Sequence, residues 1–217
     1  MGKTCLRSEI VRLGIELERL GILDLTAGNI SARAGDDAIA STPSGIPYGD
    51  TTPDDVVVCT LSGGEVVEGT CKPSSELAMH RAVYAARPET GAVVHTHSPY
   101  ATTFAVLRKP IPAVHYVISR LGTSEVPVVD YATYGTQELA QNAFGGLTGS
   151  TKALLLANHG TLALGRDLAE AALNARVLET LAATYWRALA VGSPFILADE
   201  EIGNVMERHK SYGQQDG

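Results

Sequence analysis

The chain has 217 residues, 45% of them hydrophobic, and carries a formal net charge of −7. This length allows one well-buried core, so residues 1–217 are expected to form a single domain. An acidic chain without a basic run argues against binding to nucleic acid, whereas a phosphorylated metabolite can still bind, because backbone N–H groups and helix N-termini attract anions locally.

Cysteine usage and hydropathy predict the cellular compartment of the protein. The three cysteines, Cys5, Cys59 and Cys71, are odd in number and form no C-x-x-C pair. A disulfide framework is therefore not expected, which indicates a reducing compartment. The polar N-terminus is unlike a signal peptide, and no apolar run is long enough to span a bilayer. The predicted location is the cytoplasm, without membrane association.

In the first half of the chain, helical spacing of Ile10, Leu13, Leu17 and Leu20 predicts a helix over residues 4–20. A polar turn over 25–31 and a short strand over 37–42 follow. Strands over 56–61 and 65–68 flank Ser62-Gly63-Gly64, which is a hairpin signal. The next helix is predicted to open with Ser74 or Ser75 as N-cap and Glu76 in its first turn, and to end at Pro88. A buried strand over 91–94 runs into His95-Thr96-His97, and a helix covers 99–107.

The second half continues the alternation of strands and helices. Strands are predicted over 126–131, 152–157 and 161–164, and helices over 137–144, 167–190 and 199–209; a tight turn at 158–160 separates the last two strands, and residues 211–217 form a polar tail. Because strands outnumber the crossovers of a purely parallel protein and two pairs are hairpins, we expect an α/β fold with a mixed or largely antiparallel sheet and helices on its faces.

His95-Thr96-His97 is the sharpest local feature of the sequence. Residues two apart in a strand point to the same side, so both imidazoles share one face, an arrangement that suits zinc. An H-x-H pair alone is more often structural. His159, in the turn after the most hydrophobic strand, adds a third imidazole, and three protein ligands with an open position are typical of catalytic zinc. The remaining histidines are predicted to be surface or packing residues: His80, His115 and His209.

Glu76 is the candidate acid or base. A first-turn glutamate is usually explained by the helix dipole, but here Ser74, Ser75 and the helix N-terminus form an anion site next to it. A carboxylate beside a bound phosphate and a metal has a reason to exchange protons. Gly28-Asn29 and Ser44-Gly45 are two further polar turns whose N–H groups can approach an anion, although each alone is ordinary turn chemistry.

With these residues assembled, the sequence resembles the class II sugar-phosphate aldolase and epimerase family, which also includes adducin-type domains. It is most similar to the branch that acts on L-fuculose 1-phosphate. The resemblance spans nearly the whole chain. It rests on the following motifs in this order: Thr26-Ala27-Gly28-Asn29-Ile30-Ser31, Thr42-Pro43-Ser44-Gly45, Pro73-Ser74-Ser75-Glu76, His95-Thr96-His97-Ser98-Pro99, His115-Tyr116, Tyr131-Ala132-Thr133-Tyr134-Gly135, Asn158-His159-Gly160 and Lys210-Ser211-Tyr212-Gly213.

The resemblance implies a three-layer α/β/α sandwich around a mostly antiparallel sheet, assembled as a homotetramer. It implies one Zn²⁺ per subunit, although three imidazoles accept other divalent metals. A ketose 1-phosphate would be cleaved reversibly into dihydroxyacetone phosphate and an aldehyde, with the metal as Lewis acid. The implied site residues are His95, His97 and His159 for the metal, Thr26, Asn29, Ser44, Gly45, Ser74 and Ser75 for the phosphate, and Glu76, Tyr116 and Tyr212 for catalysis, the two tyrosines reaching a neighbouring subunit's site.

The sequence departs from the family at two positions, and one of them leaves the substrate open. Asn158 stands where the fuculose-phosphate enzymes carry histidine, but the ligand position His159 is kept. Tyr134 stands where they carry a phenylalanine near the aldehyde end, so a 5-deoxypentulose or methylthioribulose 1-phosphate is an alternative to fuculose 1-phosphate. The same metal site also serves decarboxylation, dehydration or 4-epimerisation in this family, and Glu76, which is aspartate in the epimerases, argues against epimerisation. A non-catalytic adducin-like scaffold is the alternative of another class. Retention of the three histidines argues against it.

Overall fold

A computed structural model describes residues 3–209, and their side chains from Cys5 onward. Its helices are α1 (Lys3–Arg19), α2 (Leu77–Ala86), α3 (Pro99–Leu107), α4 (Gln137–Gly146), α5 (Leu168–Val191) and α6 (Asp199–His209), with a 3-10 helix at Tyr116–Leu121. Its strands are β1 (Asn29–Gly35), β2 (Ala38–Ser41), β3 (Val57–Thr60), β4 (Val66–Glu68), β5 (Ala92–Thr96), β6 (Ile111–Pro112), β7 (Glu125–Val126), β8 (Val128–Val129), β9 (Ala153–Leu156) and β10 (Gly160–Gly165).

Eight strands form one sheet in the order β4-β3-β2-β1-β5-β10-β9-β8, and β6 pairs with β7 in a separate ribbon. Every pairing is antiparallel except that of β8 with β9. The predicted α/β class and the largely antiparallel sheet are confirmed. The finer description as a three-layer sandwich stays a prediction.

Helices cover both faces of the sheet, because the central strands are apolar on both sides. Val94 of β5 joins residues of α1 and α5 in one buried cluster, whereas its neighbour Val93 joins residues of α2 and α4 in another. A third cluster lies between α3, α5, α6 and the 3-10 helix. The face covered by α2 also carries the functional side chains described below. No helix in the described range 3–209 is both long and apolar enough to cross a membrane.

The predicted turn over 25–31 is wrong in its second half. Asn29 begins β1, which pairs with β2 on one side and with β5 on the other. The strand was missed because small and polar residues such as Ser31 and Ala32 weaken its β signal, whereas pairing on both sides supplies its stability.

Two other boundaries also differ from prediction. Helix α2 begins at Leu77, with Glu76 at the N-cap position that was predicted for Ser74 or Ser75. The Glu76 N–H donates to the Ser74 Oγ, so residues 74–76 form a separate turn before the helix. The strand predicted over 126–131 is two short strands, since Pro127 has no N–H to donate and separates β7 from β8. The 3-10 helix at Tyr116–Leu121 was not predicted.

Candidate metal centre and substrate cleft

Three histidines converge at the edge of the central strands. His95 is the fourth residue of β5, His97 follows the end of that strand, and His159 lies in the turn between β9 and β10. Their ring centroids are 4.9 to 5.0 Å apart. One nitrogen from each ring lies within 4.8 Å of the others, and within residues 3–209 this is the one group of three side chains suited to a metal ion.

The sheet fixes how His95 faces this group. Its Nδ1 lies 2.7 Å from the Thr161 carbonyl oxygen of β10 and donates to it, which directs Nε2 at the other two rings. The Nε2 atoms of His95 and His97 are 3.1 Å apart. Two nitrogens bound at tetrahedral angles to one zinc ion are about 3.3 Å apart, given zinc–nitrogen distances of about 2.05 Å. The backbone carbonyl therefore plays the orienting role that such ligands require.

His97 and His159 are neutral at physiological pH. Burial lowers the pKa of His97 to about 4, and repulsion by His95 and His159 adds to this effect. Burial and repulsion by His95 likewise lower the pKa of His159 to about 4. Neutral rings keep the lone pairs that a metal ion needs.

The carboxylate of Glu76 lies next to two of the three histidines. Its Oε2 lies 3.0 Å from His95 Nε2, and its Oε1 lies 3.3 Å from His159 Nε2. Asn29, which pairs with His95 across β1 and β5, donates its Nδ2–H to Glu76 Oε2 at 3.0 Å. Burial raises the pKa of Glu76, but attraction to His95 and His159 and the bond from Asn29 prevail and lower it to about 2.

This arrangement fits a bound cation. Because His159 is neutral at physiological pH, it does not offset the negative charge of Glu76 there, so a positive ion among these groups would stabilise them. Within the described residues, Glu76 Oε1 and His159 Nδ1 are buried without a hydrogen-bond partner. An imidazole set of this kind suits zinc and accepts other divalent transition metals.

Two glycines allow the close packing behind the centre. A Cβ on Gly160 would lie 2.4 Å from the Thr96 carbonyl oxygen and 2.8 Å from His97 Cδ2. Gly28 has a φ of +80°, and a Cβ there would lie 2.5 Å from the His95 carbonyl oxygen. Only glycine lets these two backbone segments approach β5 so closely.

A cleft of about 280 Å³ opens in front of the histidines and Glu76. The structure brings nine of the predicted site residues to its lining: Thr26, Asn29, Ser44, Gly45, Ser74, Ser75, Glu76, His97 and His159. His95 is fully buried beside Glu76. The cleft also contains residues that were not predicted as site residues, among them Tyr131, Tyr134 and Asn158. The sequence signals for these residues were tyrosines at or beyond the end of a predicted strand and an asparagine next to His159 in a predicted turn.

Backbone hydrogen bonds join the two turns that were predicted to bind the phosphate. The Ser44 N–H donates to the Lys72 carbonyl oxygen at 2.9 Å, and the Ser74 N–H donates to the Thr42 carbonyl oxygen at 3.1 Å. Gly45 and Ser75, the next residue in each turn, are exposed. Helix α2 begins directly behind Ser75 and Glu76, so its N-terminus adds a positive field to this part of the cleft.

Tyr116, one of the two tyrosines predicted to act in a neighbouring subunit, is not among the residues that line this cleft. Tyr116 is 53% exposed at the start of the 3-10 helix and stacks on His115. Tyr212 lies outside the described residues. Of the histidines predicted to be surface or packing residues, His80 is buried, with its Nδ1 2.6 Å from the Ser31 Oγ.

Comparison with known proteins gives the family. Residues 8–186 match the model of the class II aldolase and adducin N-terminal domain. A 5-methylthioribulose-1-phosphate/5-deoxyribulose-1-phosphate aldolase of Rhodospirillum rubrum is 43% identical over 97% of this chain and 94% of that protein. A 5-deoxy-D-ribulose 1-phosphate aldolase of Bacillus thuringiensis is 41% identical over 96% of this chain and 97% of that protein.

A solved structure supports the same assignment. An L-fuculose 1-phosphate aldolase superposes with a TM-score of 0.91 at 39% identity, covering 95% of this chain and 96% of that one. The chain therefore belongs to the class II aldolase family, whose aldolases are metal-dependent lyases.

Proposed function

We propose that this class II aldolase family member is a zinc enzyme that reversibly cleaves a ketose 1-phosphate into dihydroxyacetone phosphate and an aldehyde. The observation that carries the proposal is the convergence of three imidazoles on the Glu76 carboxylate in one cleft. The names of the similar proteins point to three substrates: L-fuculose 1-phosphate, 5-deoxyribulose 1-phosphate and 5-methylthioribulose 1-phosphate.

His95, His97 and His159 would hold the metal, and zinc is the ion that we propose. When bound, a divalent ion polarises the substrate carbonyl and stabilises the negative charge that develops as the carbon–carbon bond breaks. The bond from His95 Nδ1 to Thr161 keeps the Nε2 lone pair directed at the centre. Gly160 keeps the space behind the rings free of a side chain.

Glu76 is the proposed acid/base on the dihydroxyacetone phosphate fragment. When the bond between C3 and C4 of the ketose breaks, its electron pair is shared by C3 and the carbonyl oxygen, and the C4 hydroxyl gives up its proton. C3 gains a proton in return, and Glu76, a carboxylate at rest with a pKa of about 2, takes up that proton and delivers it to C3. Asn29 holds the carboxylate in place through Oε2, and Oε1 has no hydrogen-bond partner within the described residues. We assign exchange of the proton on the aldehyde oxygen to Tyr116 of a neighbouring subunit.

The phosphate group is proposed to bind between the two hydrogen-bonded turns. Ser44 and Gly45 come from one turn, and Ser74 and Ser75 from the other, with Thr26 and Asn29 on a third side of the cleft. The exposed residues Ser44, Gly45 and Ser75 offer hydroxyl and backbone N–H groups in front of a helix N-terminus, and these are donors that a phosphate dianion requires.

Tyr116 and Tyr212 would act across subunit boundaries in a homotetramer. Each subunit is proposed to be one domain over residues 1–217, built as a three-layer sandwich and located in the cytoplasm. The single domain is supported by the near-complete coverage of the similar proteins. The action of Tyr116 in another subunit is supported by its exposure away from its own cleft.

A coupled assay for dihydroxyacetone phosphate tests the proposal. The purified protein is offered each of the three substrates and L-ribulose 1-phosphate, with and without a chelator. Chelator-sensitive release from at least one substrate is the expected result, and the fastest substrate identifies the aldehyde. Release of carbon dioxide or a dehydrated ketone without dihydroxyacetone phosphate would instead assign the site to decarboxylation or dehydration. Metal binding without any turnover would support the scaffold alternative.

A further inference from the structure

The turn that carries His159 is anchored to the end of α3 through Asn158. Asn158 adopts the left-handed conformation with a φ of +54°, and so does Arg108, the residue that ends α3, with a φ of +52°. The Asn158 N–H donates to the Ala105 carbonyl oxygen at 3.1 Å. The Arg108 Nε–H donates to the Asn158 Oδ1 at 2.9 Å. Both the backbone and the side-chain carbonyl of Asn158 are therefore fixed.

This anchoring leaves one part of the Asn158 amide for a ligand. An asparagine amide has an acceptor oxygen and two N–H donors, and here Arg108 occupies the oxygen. Within residues 3–209, the Asn158 Nδ2 has no acceptor, although the residue lines the cleft beside His97 and His159. Two amide hydrogens therefore remain to be donated to an oxygen atom in the cleft.

The order of the strands indicates which half of a substrate would meet this donor. The metal ligands His95 and His97 are held by β5, in the middle of the sheet. Asn29, the first residue of β1, and the turn at Ser44 lie on the β1 and β2 side of β5, whereas Asn158 follows β9, on the opposite side. A molecule whose phosphate lies at the first side and whose carbonyl lies at the metal would extend toward Asn158 with its remaining carbons.

We infer that the Asn158 Nδ2 donates a hydrogen bond to an oxygen of the substrate half that leaves as the aldehyde, and that Arg108 is a positioning residue that orients this amide. The inference rests on the proposed aldolase function. It adds a contact that selects for a hydroxyl or carbonyl oxygen beyond the bond that breaks. Dihydroxyacetone phosphate alone, which lacks those carbons, would not use the contact.

Four variants separate this contact from other effects. Asn158→Gly keeps the left-handed turn and removes the amide, and Asn158→Asp keeps the oxygen for Arg108 but replaces the donor. Arg108→Lys keeps the positive charge and removes the Nε–H. Asn204→Asp, at an exposed position on α6, is the matched control for the added negative charge.

The first measurement is kcat/KM for cleavage of the preferred ketose 1-phosphate, with the zinc content of every variant determined. The second is the Kd of dihydroxyacetone phosphate by calorimetry. Asn158→Gly and Asn158→Asp are expected to lower kcat/KM about tenfold, the usual effect of one lost hydrogen bond to a substrate, while the Kd stays within about twofold. Asn204→Asp is expected to match the parent in both measurements.

Arg108 is tested by the double variant. If it acts only through Asn158, Arg108→Lys lowers kcat/KM in the parent but has no further effect when Asn158 is glycine. Equal effects in both backgrounds would show that Arg108 acts by another route.

The inference is overturned if Asn158→Gly keeps the kcat/KM of the parent, or if it weakens dihydroxyacetone phosphate and the ketose equally. Failure of the proposed function would show differently, as an absence of dihydroxyacetone phosphate release by the parent. In that case, calorimetric binding of the ketose 1-phosphates to the parent and to Asn158→Gly still tests the contact, and equal affinities would refute it.

Discussion

Replacement of Gly160 by alanine is expected to weaken both the proposed metal centre and the fold. The added Cβ would lie 2.4 Å from the Thr96 carbonyl oxygen, 2.8 Å from His97 Cδ2 and 3.3 Å from His95 Cε1. Since real Cβ contacts below about 3 Å do not persist, β5 and β10 have to separate by roughly half an ångström or more. Such overpacking typically costs about 1–3 kcal/mol.

The same displacement moves two of the proposed metal ligands relative to the third. The His97 ring is pushed directly, and separation of β5 from β10 loosens the bond from His95 Nδ1 to Thr161 that orients the other ring. Loss of such an orienting bond usually weakens metal affinity about 10- to 100-fold. Competition with a chromogenic chelator measures this change, and thermal unfolding of the metal-free protein measures the cost to the fold.

Gly203→Ala is the matched control. Gly203 lies within α6, and a Cβ there would meet no atom within 4 Å. This alanine is expected to leave metal affinity unchanged and to raise stability by up to about 1 kcal/mol, because alanine favours helix more than glycine does. If Gly160→Ala binds zinc within about threefold of the parent and unfolds at the same temperature, the close packing of Gly160 against the histidines does not support the centre.

Three further predictions concern acid/base chemistry, metal removal and pH. Glu76→Gln is expected to lower kcat about 100- to 10,000-fold while calorimetry still detects zinc binding, and a kcat within tenfold of the parent would remove Glu76 from catalysis. Chelation is expected to lower the unfolding temperature, since free zinc at about 1,000 times its Kd adds about 4 kcal/mol of stability; an unchanged temperature would mean that no metal binds the folded state. Burial lowers the pKa of His80 to about 3, and repulsion by His95 adds to this effect, so the unfolded state binds the extra proton below pH 6.5. His80 alone should then lower stability by about 1.4 kcal/mol per pH unit between pH 6.5 and 4, and the lowered pKa values of His97 and His159 add to this fall in the metal-free protein. In urea titrations of the metal-free protein, His80→Asn should remove that part of the fall, and an equal slope in parent and variant would contradict the assignment.

The predictable part of the site is the part that one strand or turn encodes by itself. The pair His95 and His97 follows from period-two spacing at the end of an apolar strand, and His159 from its place in the turn after another. Helix α3 has the predicted bounds for a similar reason, since Pro99 begins it and its apolar run ends at Leu107.

The contacts that join these pieces depend on distant residues. Asn29 lies beside His95 because β1 inserts between β2 and β5, and no local pattern predicts a strand order that brings together residues 66 positions apart in the numbering. Glu76 reaches His95 and His159 only because α2 packs on that face of the sheet. The family resemblance named these residues, but the hydrogen bond from Asn29 and the anchoring of Asn158 by Arg108 required the packed structure.

One turn carries both the proposed phosphate ligands and the proposed acid/base, and this continuity has a kinetic consequence. Ser74 and Ser75 directly precede Glu76, and the Ser74 Oγ accepts the Glu76 N–H at 3.2 Å. A phosphate bound to the two serines would therefore hold the backbone from which the Glu76 carboxylate extends. Binding energy from a remote group used in this way raises kcat, in addition to lowering KM.

The corresponding ketose without phosphate tests this coupling. If the phosphate serves only to retain the substrate, the dephosphorylated ketose reaches the same kcat at a higher concentration, and added inorganic phosphate only competes. If the phosphate also holds the turn, kcat falls together with the affinity, and inorganic phosphate restores part of it. Because Asn29 already fixes Glu76 Oε2 without any ligand, the remaining freedom lies in the turn, and Ser74→Ala should lower kcat for the phosphorylated ketose while leaving the zinc content unchanged.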